Sequence, residues 1–142
     1  MQLRHVGIVC RDLQKSLQFY QDIFECRITR RMGEAGSFIS TILGLGDVQV
    51  ETVKLSCPQG TTEIELLSFT KPMMENSTSL LSYGLTHVAL KVNNIEVLYE
   101  KMSQAHIPCV SKPEISPDGK AKVFFCQDPN GVFLEIVEII SS

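Results

Sequence analysis

Leu3-Arg4-His5-Val6-Gly7-Ile8-Val9 and Leu85-Thr86-His87-Val88-Ala89-Leu90-Lys91-Val92 are two copies of one short pattern. Each is brief, apolar and β-branched enough to form a strand, and each is followed by a residue suited to cap a helix, Asp12 in the first case and Asn93 or Asn94 in the second. Behind the first cap, Leu13, Leu17, Phe19, Tyr20, Ile23 and Phe24 return at spacings of three and four, the stripe of an amphipathic helix. Behind the second, Ile95, Leu98, Tyr99 and Met102 do the same. Leu3 with Leu85, His5 with His87, Val6 with Val88, Asp12 with Asn94 and Leu13 with Ile95 all stand 82 positions apart (87 − 5). Matched chemistry at one constant offset indicates an internal duplication, which constrains the fold before any single element does.

Further strand-like runs follow each helix. In the first half they are Phe38 to Leu43, ended by Gly44 and Gly46, then Val48 to Leu55 and Glu63 to Phe69. In the second they are a short one at Val110, Lys122 to Gln127 and Val132 to Ile140. Between the last two, Asp128-Pro129-Asn130-Gly131 predicts a tight hairpin, because proline presets φ and Asn-Gly tolerates positive φ. Thr70 to Gly84 lacks apolar periodicity and links the halves. The expectation is one domain over residues 1–142, made of a first βαβββ module at 1–70 and a second at 84–142.

Side chains alternate faces along a strand, so Glu63, Glu65 and Leu67 share one face, as do Phe133, Glu135 and Val137. Each half therefore offers a histidine early in its first strand and a carboxylate in its last, both on the face away from the helix. Neutral imidazole and ionised carboxylate suit Zn, Ni, Co, Fe or Mn, and four ligands on rigid strands leave the other positions of an octahedral ion to water or substrate. A single strand histidine or glutamate is usually structural or merely the polar face. The repeated pattern singles out His5, Glu65, His87 and Glu135 as the ligands of one divalent cation.

Composition limits the alternatives. The chain has 142 residues, 44% hydrophobic and 20% charged, with a net charge of −3 and scattered basic residues, so the electrostatic footprint of a nucleic-acid binder is missing. No run approaches the roughly 18 apolar residues of a membrane span, and the N-terminus carries no targeting signal. Arg27, Arg30 and Arg31 form the one local basic cluster, suited to an anionic substrate tail although such clusters are usually plain surface. Cys10, Cys26, Cys57, Cys109 and Cys126 are odd in number, dispersed and never in a C-x-x-C pair, which argues against a disulfide framework and a zinc knuckle and for a reducing cytoplasm.

The segments LRHVGIVCRDLQKSLQFYQDIF, TTEIELLSF, LTHVALKV and FCQDPNGVFLEIVE resemble the four recurring segments of the vicinal oxygen chelate superfamily, which includes glyoxalase I, methylmalonyl-CoA epimerase, extradiol dioxygenases and antibiotic-resistance proteins. The resemblance spans nearly the whole chain and is loosest over residues 27 to 60. It implies an α+β fold in which two tandem βαβββ modules form a cup-shaped mixed sheet with helices on the outer face. It further implies one divalent metal on His5, Glu65, His87 and Glu135, a homodimer, and a small-molecule substrate such as a thiol adduct, a CoA thioester or another carbonyl compound. In its lyase and isomerase branches a carboxylate removes a proton next to a bound carbonyl, a role that falls to Glu135 or Glu65.

Other branches fit less well. The epimerase pattern adds a glutamate before the EIELL strand, where GLGDVQVETV offers only Asp47 and then Glu51. An extradiol dioxygenase would use His5, His87 and Glu135 as a facial triad, but Glu65 would crowd it and His106 is poorly placed as a catalytic histidine. A non-enzymatic binding or resistance protein would not need four intact ligand positions. Substrate choice would rest with residues 29 to 47, 70 to 84 and 111 to 121, where Met32, Phe38, Met73, Met74 and Tyr83 are candidate pocket or packing residues.

Overall fold

The computed structural model describes residues 1–75, 80, 81 and 83–141. The chain divides into two compact units, Met1–Asn76 and Ser77–Ser142. The first contains β1 (His5–Val9), α1 (Leu13–Phe24), β2 (Arg27–Ala35), α2 (Ser37–Leu43), β3 (Gln49–Ser56) and β4 (Glu63–Lys71). The second contains β5 (His87–Lys91), α3 (Ile95–Gln104), β6 (Glu114–Ile115), β7 (Ala121–Gln127) and β8 (Phe133–Ile139). Each unit has its own four-stranded sheet, ordered β1-β4-β3-β2 and β5-β8-β7-β6. In both, the first strand pairs parallel with the last and the remaining pairs are antiparallel. This is the α+β, tandem-module class that the duplicated pattern predicts.

The helices start where the sequence predicts. Asp12 accepts from the Lys15 amide and Asn94 from the Val97 amide, both at 3.1 Å, each satisfying an amide that the first turn leaves unpaired. The apolar stripe of α1 buries Leu13, Leu17, Tyr20 and Ile23, and the sheet meets it with Ile8, Val53, Leu55, Ile64 and Leu66. Truncating a fully buried member such as Leu17 to alanine costs about 2–5 kcal/mol. In the second unit Ile95 and Met102 of α3 join Phe124, Leu134 and Ile136. The hairpin between β7 and β8 forms as expected: Asp128 Oδ1 accepts from the amides of Asn130 at 2.8 Å and Val132 at 2.9 Å. Gly131 takes a φ of 82°, a conformation that favours glycine.

Several expectations need correction, and one strand was not expected. Phe38 to Leu43 is not a strand but lies in α2, which Gly44 ends in the left-handed conformation while its amide bonds to the Ser40 and Thr41 carbonyls. Ile39 anchors this helix by packing with Val48, Val50, Leu67 and Phe69. The β-branched run favours a strand locally, but tertiary packing overrides that weak preference. The nine-residue β2, Arg27–Ala35, carries no alternating apolar signal because almost all of it is exposed at the sheet edge, where charged residues discourage pairing with another chain. The expected strand at Val110 is reduced to a bridge between Cys109 and Cys126, and the fourth strand of the second sheet is the two-residue β6. Of the expected linker, residues 70 and 71 extend β4, and residues 76–79 and 82 lie outside the described residues.

Cys26 and Cys57 are joined in a disulfide. The register that places Arg27 opposite Ser56 makes the two cysteines facing neighbours just beyond the ends of β2 and β3. Sequence spacing could not show this pairing, since it depends on a strand without an apolar pattern. The argument for a reducing compartment from dispersed cysteines thereby loses its premise. No helix among the described residues is long and apolar enough to cross a membrane.

Candidate metal centre

Strand register builds the same small device in each unit. In the first, β1 lies parallel to β4 with His5 opposite Glu63 and Gly7 opposite Glu65. His5 and Glu65 thus lie diagonally across two neighbouring strands on the face that α1 does not cover. Their Nε2 and Oε2 atoms are 3.1 Å apart. In the second, His87 is opposite Phe133 and Ala89 opposite Glu135, and the His87 Nε2 to Glu135 Oε2 distance is 3.2 Å. All four side chains are partly buried rather than sealed in the core.

The fit of a cation can be tested on these atoms. An imidazole nitrogen and a carboxylate oxygen this close repel through their lone pairs unless a proton or a metal ion lies between them. Two donors about 2.1 Å from one ion, at neighbouring octahedral positions, stand about 3.0 Å apart, so the spacing of each pair suits coordination. Among the described residues no group of three or more His, Cys, Asp or Glu side chains stands together as a ready metal cluster. The structure brings the four predicted ligands together as two pairs, His5 with Glu65 and His87 with Glu135.

The surroundings of the pairs differ. His87 Nδ1 lies 2.9 Å from Thr86 Oγ1, and its ring makes an edge contact with Phe125 at a centroid distance of 5.3 Å. A partner on the second ring nitrogen fixes ring orientation and tautomer. His5 Nδ1 is buried with no hydrogen-bond partner. The residue before it is Arg4, which offers no short hydroxyl. Thr86 and Phe125 were missed at the sequence level. Thr86 could have been found from the repeat, as the place where the two copies differ beside the histidine, whereas Phe125 is visible only in the register that sets it opposite Glu135.

Other candidates are occupied elsewhere. Asp47 is exposed and ion-paired to Lys71 at 3.0 Å, and Glu51 is ion-paired to Arg31. Glu51 shares a sheet face with Val53 and Leu55, opposite to the face of Glu65. His106 follows α3 with a positive φ of 56° and is exposed. Phe38, Met73, Met74 and Tyr83 are exposed as well. Burial raises the Cys109 thiol and pushes Cys126 up to about 12, with the neighbouring Cys109 and Asp128 adding to the latter. Such thiols are poor nucleophiles.

The duplicated module and its paired His and Glu side chains define a recognisable class. The chain belongs to the Glyoxalase/Bleomycin resistance protein/Dioxygenase superfamily, whose model matches residues 2–136. A Synechocystis protein named "Probable lactoylglutathione lyase" is 27% identical over 143 aligned positions, covering 99% of this chain and 98% of that one. Among solved structures, a glyoxalase-family protein from Bacillus cereus superposes with a TM-score of 0.88 at 19% identity, over 99% of this chain and 95% of that one. The trypanothione-dependent glyoxalase I of Leishmania major gives 0.67 at 18% identity, over 97% and 86%. At such identities the structural likenesses establish the fold alone.

Proposed function

We propose that the protein is a divalent-metal-dependent lyase or isomerase that moves a proton beside a carbonyl group, in the manner of glyoxalase I. The observation that carries this reading is the repeated His–Glu pair, with donor atoms 3.1 Å apart in one unit and 3.2 Å in the other. The name of the Synechocystis relative supports the lyase branch over the epimerase branch. So do the engaged side chains of Asp47 and Glu51, neither of which is left as a spare base.

His5, Glu65, His87 and Glu135 would hold one Ni, Co, Zn, Mn or Fe ion per chain. A divalent ion bound there supplies Lewis acidity to a substrate carbonyl, which acidifies the adjacent C–H. A carboxylate oxygen of Glu135 accepts that proton and returns it to the neighbouring carbon, so that a hydroxy-thioether adduct of a 2-oxoaldehyde becomes a hydroxy-thioester with no net redox change. Glu65 is the second candidate for the same role. The Thr86 contact holds His87 in one orientation while this happens. The superfamily resemblance also implies a homodimer, which sedimentation would measure.

The deciding experiment is elemental analysis of the untagged protein beside its Glu135→Gln variant, joined to solvent-proton exchange on a methylglyoxal–thiol adduct and on methylmalonyl-CoA. About one ion per chain, reduced in the variant, with exchange on the thiol adduct, is the expected outcome. Exchange on the CoA ester alone would move the assignment to the epimerase branch. Absence of bound metal under any loading would place the protein with the binding modules of the superfamily.

A further inference from the structure

Beside the His5–Glu65 pair, the sheet register sets two cations face to face. Arg30 of β2 is the partner of Lys54 on β3, and Lys54 is in turn the partner of Glu65 on β4. All three therefore share one sheet face, the one that carries His5. Like charges directly opposite one another destabilise a sheet. The nearby carboxylates are directed elsewhere, Glu65 to His5 and Glu63 to the Thr29 hydroxyl at 2.7 Å, and neither stands within ion-pair distance of the two cations. The Arg30 guanidinium is in contact with the Met32 sulfur, a weak acceptor. Among the described residues neither Arg30 nor Lys54 forms an ion pair, and Lys54 is half-buried. The fold does not demand this arrangement, since Phe125 holds the equivalent place opposite Glu135 in the second unit.

We infer that Lys54 and Arg30 form an anion subsite that binds a carboxylate or phosphate group of the substrate. Neighbouring strands lie about 4.8 Å apart, so the two cations stand about 5 and 10 Å from the strand of Glu65, within reach of the far end of a small metabolite. The assignment of that anion to a substrate rests on the proton-transfer reading above, while the subsite itself rests on the register and on the lack of an ion pair to either cation among the described residues. A bound anion would offset the repulsion between the two facing cations, a signature separate from catalysis.

The test is a calorimetric titration of the metal-free protein with two probes, S-methylglutathione for carboxylates and inorganic pyrophosphate for phosphates, with S-methylglutathione diester as the control lacking carboxylates. The expected result is that one anionic probe binds, the diester does not, and Lys54→Met or Arg30→Gln weakens binding at least tenfold while Lys101→Met leaves it unchanged. The urea midpoint of Lys54→Met, measured beside the wild type, shows that the variant is folded. Unchanged affinity in Lys54→Met, equal binding of the diester, or no binding of either anionic probe to the wild type would overturn the inference. Binding through Lys54 without proton exchange would keep the subsite and remove the reaction, and the converse would keep the reaction and remove the subsite.

Discussion

The two units share a scaffold and differ in what they place around it. Both align a histidine of the first strand with a glutamate of the last at nearly the same separation. In the second unit the histidine is held by Thr86 and flanked by Phe125. In the first it has no partner at Nδ1, lies beside the Lys54 and Arg30 cations, and belongs to a unit that adds α2 and the Cys26–Cys57 disulfide. The repeat therefore fixes the two His–Glu pairs, and the departures from it distinguish them. Under the proposed function the second unit would supply the oriented reacting pair and the first the substrate-holding surface.

The largest effect expected from this contrast is on turnover. Glu135→Gln should lower proton exchange by about 100-fold or more, the scale of a lost general base, and Glu65→Gln should lower it less while reducing metal content similarly. Parallel kinetics and elemental analysis of the two variants measure the asymmetry. Equal losses in both would mean that the surroundings of the pairs do not divide the labour.

Next in size is stability. The disulfide joins residues 31 positions apart in sequence, and a cross-link closing a loop of that length contributes about 3–4 kcal/mol in the chain-entropy account. Cys57→Ala, or reductant on the wild type, should lower the urea midpoint. A midpoint indifferent to reductant would remove this difference between the units.

A smaller effect concerns metal affinity. Thr86→Val should weaken binding about 10–100-fold, the usual consequence of losing the group that orients a ligating imidazole. Arg4→Thr puts the second unit's residue beside His5, and tighter binding is the expected result of a competition titration against a chelator. Unchanged affinity in both variants would show that ring orientation is set elsewhere.

Much of this contrast was legible in the sequence because it was written in period and repeat. The offset between His5 and His87, the caps at Asp12 and Asn94 and the Asp-Pro-Asn-Gly hairpin are local signals, and each is realised in the structure. What was not legible depends on long-range register. Arg27–Ala35 hides a strand under an exposed, charged surface, and the disulfide and the Arg30–Lys54 pair both depend on that strand. The run Phe38 to Leu43 is β-branched enough to suggest a strand, but Ile39 has an apolar surface to cover between Val48 and Phe69, and a helix covers it. The two His–Glu pairs could be named from the repeat, whereas the hydroxyl beside His87 and the cations beside Glu65 required coordinates.

The smallest effect tests two free thiols of the second unit, buried Cys126 and partly buried Cys109. Cys109 and Cys126 form a bridge flanked by the bonds from Val110 N to Phe125 O and from Gln127 N to Pro108 O, the geometry of a non-hydrogen-bonded facing pair. Burial holds the Cys126 pKa at about 12, above its ordinary 9.0. Well below pH 9 the thiol is protonated in both folded and unfolded chains, and it has no effect on the slope. Between about 9 and about 12 the unfolded chain releases the proton while the folded chain retains it, so stability must fall as pH rises. The limiting slope is about 1.4 kcal/mol per pH unit. Urea unfolding of the wild type and Cys126→Ala from pH 8 to 10.5 should show the decline flattened in the variant, and parallel curves would mean that the thiolate finds solvent or a counter-charge in the folded state.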